Sequence, residues 1–248
     1  QEDDALSVTM LKALITRVRS EQLLTQGDFA AASIELKHYR NALNAAIEID
    51  PTNQMPRFRL CKSLLNEYRL TQNKDLLEEA LVVADEGEKE TGNSAQFAVI
   101  RADVLQADGQ LDRAIDRLAL FLSENPESNV VRQRLVEAYL DIDNVTRAIT
   151  VAEQGVTINP SRSFWHRQLG DLYVRANDDR KEAVIAYIAA LEREPSVSLL
   201  HLIDEMTRTE QPLPDAEILA MARGAVSKMH PVVNSLEAKA LQNLGQDR

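Results

Sequence analysis

A 248-residue chain with a formal net charge of −11 and a pI near 4.9 offers no basic face of the kind that phosphate backbones and anionic membranes demand. The single cysteine, Cys61, excludes an internal disulfide and a cysteine-built zinc site. With 44% hydrophobic but only 4% aromatic residues, Ala and Leu must fill the core, and no apolar run approaches the roughly 20 residues that span a bilayer.

In chain order, Gln26-Gly27-Asp28-Phe29 reads as a turn between two helices, with Ala32 as a small packing residue and Asp50-Pro51 as the end of the second. The interval from Ala32 to Pro51 is longer than those from Ala114 to Pro126 and from Ala148 to Pro160. Likewise, Pro51 to Ala80 is longer than Pro126 to Ala148. Each surplus is worth about two helical turns, or ~10 Å, which predicts an elongated helical hairpin near the N-terminus. Loop at Thr71-Gln72-Asn73-Lys74 would absorb part of the second surplus, and in the extreme would end the helix at Arg69-Leu70.

The middle of the chain repeats itself. Ala114 and Ala148 are separated by the same interval as Pro126 and Pro160, and Ala183 and Pro195 follow at that interval plus one. A period of about 34 residues marks a stack of paired helices, each pair burying its apolar face only on its neighbours. Within 130–160 the first helix carries Val131, Leu135, Ala138, Tyr139 and Ile142 at three- and four-residue spacing. Asp143-Asn144 turns the chain, Ala148, Ile149, Ala152 and Val156 continue it, and Asn159-Pro160 stops it. The next unit repeats this with Leu169, Gly170, Leu172 and Tyr173, then Ala183, Ala190 and Leu191.

Beyond 195 the pattern loosens. Glu210 to Pro214 interrupts it, Asp215 is placed to cap a helix running to about Met229, and His230-Pro231 closes that helix. Residues 235–245 read as the first helix of a further repeat without its partner, either a terminal cap or the start of a continuation. The first residue, Gln1, stands where a translated chain would have Met, so upstream residues are expected.

The run Leu169-Gly170 with Tyr173, the small residues Ala114, Ala148 and Ala183, and the closing Pro126, Pro160 and Pro195 resemble the tetratricopeptide repeat family. The likeness is strongest over 95–195. Two departures stand out: the register of the family's Trp holds His166, with Trp165 one residue earlier, and Arg101 replaces an expected Leu, weakening local packing. The resemblance implies an all-α fold, a right-handed α-α superhelix of about 5–6 helix pairs over 1–248. Its repeats would be irregular and lengthened over 1–92, regular over 93–195 and divergent over 196–248. A shorter likeness, Leu24 to Lys37 with Asn41-Ala42-Leu43, is to repeats of bacterial proteins of envelope and exopolysaccharide export. It points to a bacterial cytoplasm or envelope.

Catalysis finds no support in the residues. His38, His166, His201 and His230 are isolated from partners at metal-ligand spacing, and no phosphate-cradling Gly-rich loop or nucleophile elbow occurs. His201 near Asp204 and Glu205 reads as a solvated or capping contact, and Cys61 among Leu60, Leu64 and Leu65 as a buried structural thiol. Asn144-Val145-Thr146 matches a glycosylation acceptor but falls at a tight turn. The expectation is a non-enzymatic chain with no cofactor and no metal.

Binding residues follow from the resemblance. In the family the first helix of each pair lines a concave groove, and the residue two after the Leu points into it. Those positions are Lys62, Asp103, Glu137 and Asp171, the last three at the repeat interval. A turn away lie Phe58, Val99, Gln133 and Arg167, and on the other side Leu65, Gln106, Leu140 and Val174, with Met55 at the N-terminal end. The acidic register would favour a basic partner segment with apolar anchors, or is a solvated face in a chain of 39 acidic residues. It also argues against gripping a C-terminal carboxylate. The expected function is a scaffold holding another protein or peptide segment. A permanently docked subunit, a regulatory array of a longer enzyme, and self-association through 235–245 are the alternatives.

Overall fold

The computed structural model describes residues 2–92, 94–176, 180–208 and 220–232, and every regular element among them is α-helical. The helices are α1 (Glu2–Thr25), α2 (Phe29–Ile49), α3 (Gln54–Thr71), α4 (Asp75–Thr91), α5 (Ala95–Ala107) and α6 (Leu111–Glu124). They continue as α7 (Asn129–Asp141), α8 (Val145–Ile158), α9 (Ser163–Arg175), α10 (Arg180–Arg193) and α11 (Val197–Arg208), followed by a helical stretch at 220–232. Two compact units emerge, Gln1–Arg134 and Leu135–Arg248, the division falling inside α7. The expected interruption at 210–214, the Asp215 cap and the half-repeat at 235–245 lie outside the described residues. Pro231, expected to close a helix, lies within the stretch 220–232; proline's missing N–H removes one i→i−4 bond there.

Helix lengths reflect the unequal spacing of the packing residues. α6 and α8 have 14 residues each, whereas α2 has 21 and α1 has 24. α3 has 18 residues against 13 in α5 and α9, and it ends on Gln72, whose φ of 58° is left-handed. Side-chain caps start several helices: Asp28 accepts from the Ala31 N–H, Asn53 from Met55 and Asn144 from Arg147. The cap engages the Asn144 side chain inside the tight turn where the glycosylation pattern falls. Gly109 (φ 77°) and Asp143 (φ 56°) occupy the same turn register, so Asp143 bears the left-handed strain that glycine avoids.

The small-residue register is buried throughout: Ala80, Ala114, Ala148 and Ala183 are each inaccessible to solvent. A second register, not apparent residue by residue, governs how one pair meets the next. Phe97 of α5 packs against Gly87 of α4, and Trp165 of α9 against Gly155 of α8. A Cβ on Gly155 would come within 2.5 Å of the Trp165 ring. The same two positions hold Phe121 and Val131 at the next repeat and Ala190 and Leu200 at another, all buried. Where the second helix offers no side chain the following helix inserts an aromatic ring; where it offers a ring the follower shrinks to Val. Inside the pair α9 and α10, Tyr187 covers Gly170 in the same way.

A third register ties each first helix to the turn before it. Arg57, Arg132 and His166 each lie six residues after a closing proline and point back at its carbonyl. Arg57 reaches Pro51, Arg132 reaches Pro126, and the His166 Nε2 lies 3.0 Å from the Pro160 oxygen. All three are buried. Helix ends leave carbonyls without intrahelical donors, and these side chains supply one. The substitution of His166 for the family's Trp is therefore a polar tie, with Trp165 taking the adjacent apolar seat. Burial depresses the pKa of Arg132, the carboxylate of Glu127 opposing this only in part. Arg101 is likewise accommodated, ion-paired from α5 with Asp85 and, at 2.7 Å, with Glu88 of α4.

In the first unit one continuous core joins Tyr39, Leu43, Leu60, Cys61, Leu64, Leu77, Ala80 and Phe97. Cys61 is fully buried with its Sγ 3.6 Å from the Ala80 carbonyl. In the second unit α10, α11 and the stretch 220–232 share a core of Tyr187, Leu191, Ile203, Ala222 and Met229.

Two measurements check this packing. Gly155→Ala should destabilise the chain by about 1–3 kcal/mol through collision with Trp165. The same change at Gly224, exposed and helical with no atom within 4 Å of an added Cβ, should stabilise by about 0.5–1 kcal/mol. Urea denaturation followed by circular dichroism reads both, and equal signs would contradict the packing. Burial pushes the Cys61 thiol up to about 12 from 9.0. Iodoacetamide at pH 8 should therefore label the native chain roughly 100-fold or more slowly than the denatured one; comparable rates would place the thiol outside the core.

Candidate functional site

A cavity of about 420 Å³ in the first unit is lined by α1, α2 and α3. It is built by helical periodicity on three elements. α1 contributes Leu14, Arg17, Glu21 and Leu24, α2 contributes Leu36 and Tyr39, and α3 presents Met55, Phe58, Arg59, Lys62 and Ser63 among others. Three of the expected groove residues, Met55, Phe58 and Lys62, thus stand together on one wall. Met55 is 44% exposed, Phe58 half-buried and Lys62 exposed. Phe58 packs edge-on against the buried Phe97 with ring centroids 6.5 Å apart, and the Lys62 Nζ sits 5.5 Å from the Phe58 centroid as a cation over a π face. The aromatic platform is therefore anchored from below and capped by charge from above.

The charges around the cavity are unevenly partnered. Arg17 and Glu21 pair at 3.3 Å on α1, both substantially exposed. Glu67, deep on α3, is held by Arg40 at 3.2 Å, and Arg40 also reaches Glu79 at 3.5 Å. Burial nonetheless keeps the Glu67 carboxyl above the usual range; Arg40 opposes the shift and Glu79 adds to it. Tyr39 is also raised by burial, with Arg59 and Arg17 opposing the shift. Ser63 is 5% exposed, and its Oγ makes no hydrogen bond among the described residues. The α1 residues, Arg59 and Ser63 were not singled out from the sequence. The signal for α1 is present in it, as Leu14, Arg17, Glu21 and Leu24 follow each other at three- and four-residue intervals.

The remaining register positions have different surroundings. Asp103 is about one-third exposed and bound at 2.6 Å by the Arg134 Nε, while another nitrogen of Arg134 reaches Gln106. Its charge is already answered within the first unit. In the second unit Glu137 of α7 and Asp171 of α9 are both exposed, Asp171 accepting a 2.8 Å hydrogen bond from the Tyr187 hydroxyl. Burial raises the Tyr187 pKa, and that bond adds to the shift. Arg167 is exposed one turn before Asp171, and Gln133 is half-buried on α7. Among the described residues no group of three or more His, Cys, Asp or Glu could hold a metal ion, and no helix is long and apolar enough to cross a membrane.

No protein-family model matches the chain, and no curated protein matches its sequence. Solved structures do match. PilF of Pseudomonas aeruginosa is 15% identical with a TM-score of 0.50, covering 100% of this chain and 99% of its own. YrrB, described as a TPR protein with an unusual peptide-binding site, is 15% identical with a TM-score of 0.46, covering 82% of this chain and 98% of its own. MamA from Desulfovibrio magneticus RS-1 is 22% identical with a TM-score of 0.44, covering 74% and 95%. At these identities the likeness is one of fold. With the regular repeat period and the buried Ala register, it shows that the chain has the tetratricopeptide-repeat fold of paired α-helices.

Proposed function

We propose that this chain is a non-catalytic scaffold that holds a segment of a partner protein against the first helices of its pairs. The observation that carries the reading is the convergence of Met55, Phe58 and Lys62 on one wall of the cavity between α1, α2 and α3. A concave, largely apolar site with a few directed charges is the usual form of a binding pocket. Aromatic and methionine side chains left partly in water mark surfaces that partners cover. In the second unit the exposed Glu137 and Asp171 favour a basic stretch of the partner; Asp103, held by Arg134, adds little to that attraction.

A second reading, a subunit docked permanently in a larger assembly, draws support from α1. Val8, Leu11, Ile15 and Val18 recur there at three- and four-residue spacing and are 39–57% exposed. The two differ in exchange: a scaffold's partner leaves and returns, whereas a docked neighbour does not.

Affinity capture from the source cells with three versions in parallel tests the proposal. Phe58→Ala should lower retention of the partner roughly tenfold or more, as expected for an aromatic anchor at an interface. Glu137→Lys with Asp171→Lys should weaken it in a salt-dependent way. Undiminished retention by the Phe58 variant would remove the cavity from the account, and retention equal at low and high salt would remove the acidic contribution.

A further inference from the structure

The occupant of the α1–α3 cavity has a chemistry opposite to the one that the chain's own charge would select. Within a protein of net charge −11, this wall gathers three cations, Arg17, Arg59 and Lys62. The carboxylates beside them are taken: Glu21 by Arg17 and Glu67 by Arg40. Among the described residues, Arg59 and Lys62 have no carboxylate partner. Lys62 is held over Phe58, and Arg59 lines the same cavity. Below them Ser63 keeps a buried Oγ with no partner among the described residues, although burying a hydroxyl unpaired carries a cost. Leu14, Leu24, Met55 and Phe58 supply the apolar lining between these polar groups.

From this juxtaposition we infer that the cavity takes a protein segment presenting one or two bulky apolar side chains beside an acidic one, an inference that rests on the scaffold reading above. The apolar side chains enter between α1 and α3 and cover Met55 and Phe58. The carboxylate lies across Arg59 and Lys62, and the Ser63 hydroxyl donates to it or to the adjoining backbone carbonyl. A basic segment would place like charges against Arg59 and Lys62 and leave Ser63 without an acceptor. The rest of the chain repels acids, but screening confines that repulsion to about a Debye length, ~8 Å at physiological salt. At contact distance the two local cations decide.

The test uses the full chain and an array of short synthetic peptides carrying Leu-Phe anchors flanked by Glu, by Gln or by Lys, read by fluorescence anisotropy at two salt concentrations. The Glu series should bind best, by roughly tenfold over Gln, with the advantage lost at high salt. Arg59→Gln with Lys62→Gln should erase the preference for Glu over Gln. Ser63→Ala should weaken the Glu series several-fold without lowering the melting temperature; unchanged affinity would make Ser63 a packing residue only and overturn its part. Equal binding of Glu and Gln peptides, or preference for Lys, would overturn the acidic assignment while the scaffold reading stands. Binding of none of the three series would overturn both.

Discussion

Each helix pair in this chain carries an apolar face that only a neighbouring pair can cover, and the seam between pairs is set by volume matching between one position on a second helix and one on the helix that follows. Gly87 receives Phe97, and Gly155 receives Trp165. The same positions hold the buried Phe121 and Val131, and Ala190 and Leu200, in other repeats. Protein interiors are packed to near-crystalline density, so neither partner can change size alone without leaving a void or forcing a collision. The glycines are thus required for close approach and not for backbone freedom. The buried Arg57, Arg132 and His166 add to the seam by giving the carbonyls of Pro51, Pro126 and Pro160 a donor.

With apolar surface committed to these seams, the polar and charged residues of the first helices have two uses. Three arginines bind helices together: Arg40 to Glu67 and Glu79, Arg101 to Asp85 and Glu88, Arg134 to Asp103. These pairs are partly buried, where attraction is stronger but desolvation costs more, so they act as fasteners for one arrangement more than as sources of stability. Arg59 and Lys62 depart from that pattern. They line the α1–α3 cavity beside Phe58 and Met55, with no carboxylate partner among the described residues.

The repeat was legible because its markers are single residues at a fixed interval: Ala114, Ala148 and Ala183 announce buried small positions, and the prolines announce ends. Seams were harder to read, since their rule is a relation between two residues and no position keeps one size. The role of Arg101 shows the same limit: an arginine at an apolar register looks like a packing fault until Asp85 and Glu88, on another helix, are brought to it. Phe58 and Lys62 are singled out by register and Met55 by its place at the N-terminal end, whereas nothing in the repeat pattern links Leu14, Arg17 and Leu24 to them. A cavity is a property of helices that folding juxtaposes, and α1 and α3 meet only after the whole of α2 has turned back between them.

A double-mutant cycle at Gly155 and Trp165 tests the seam most directly, by transplanting the large and small residues, Phe121 and Val131, that hold the same two positions one repeat earlier. Gly155→Phe and Trp165→Val should each destabilise the chain strongly. Made together, they should cost less than the sum by about 1–2 kcal/mol or more, the coupling expected of residues in contact. Additivity within about 0.5 kcal/mol would mean that the two positions do not meet, and the volume-matched seam would have to be abandoned.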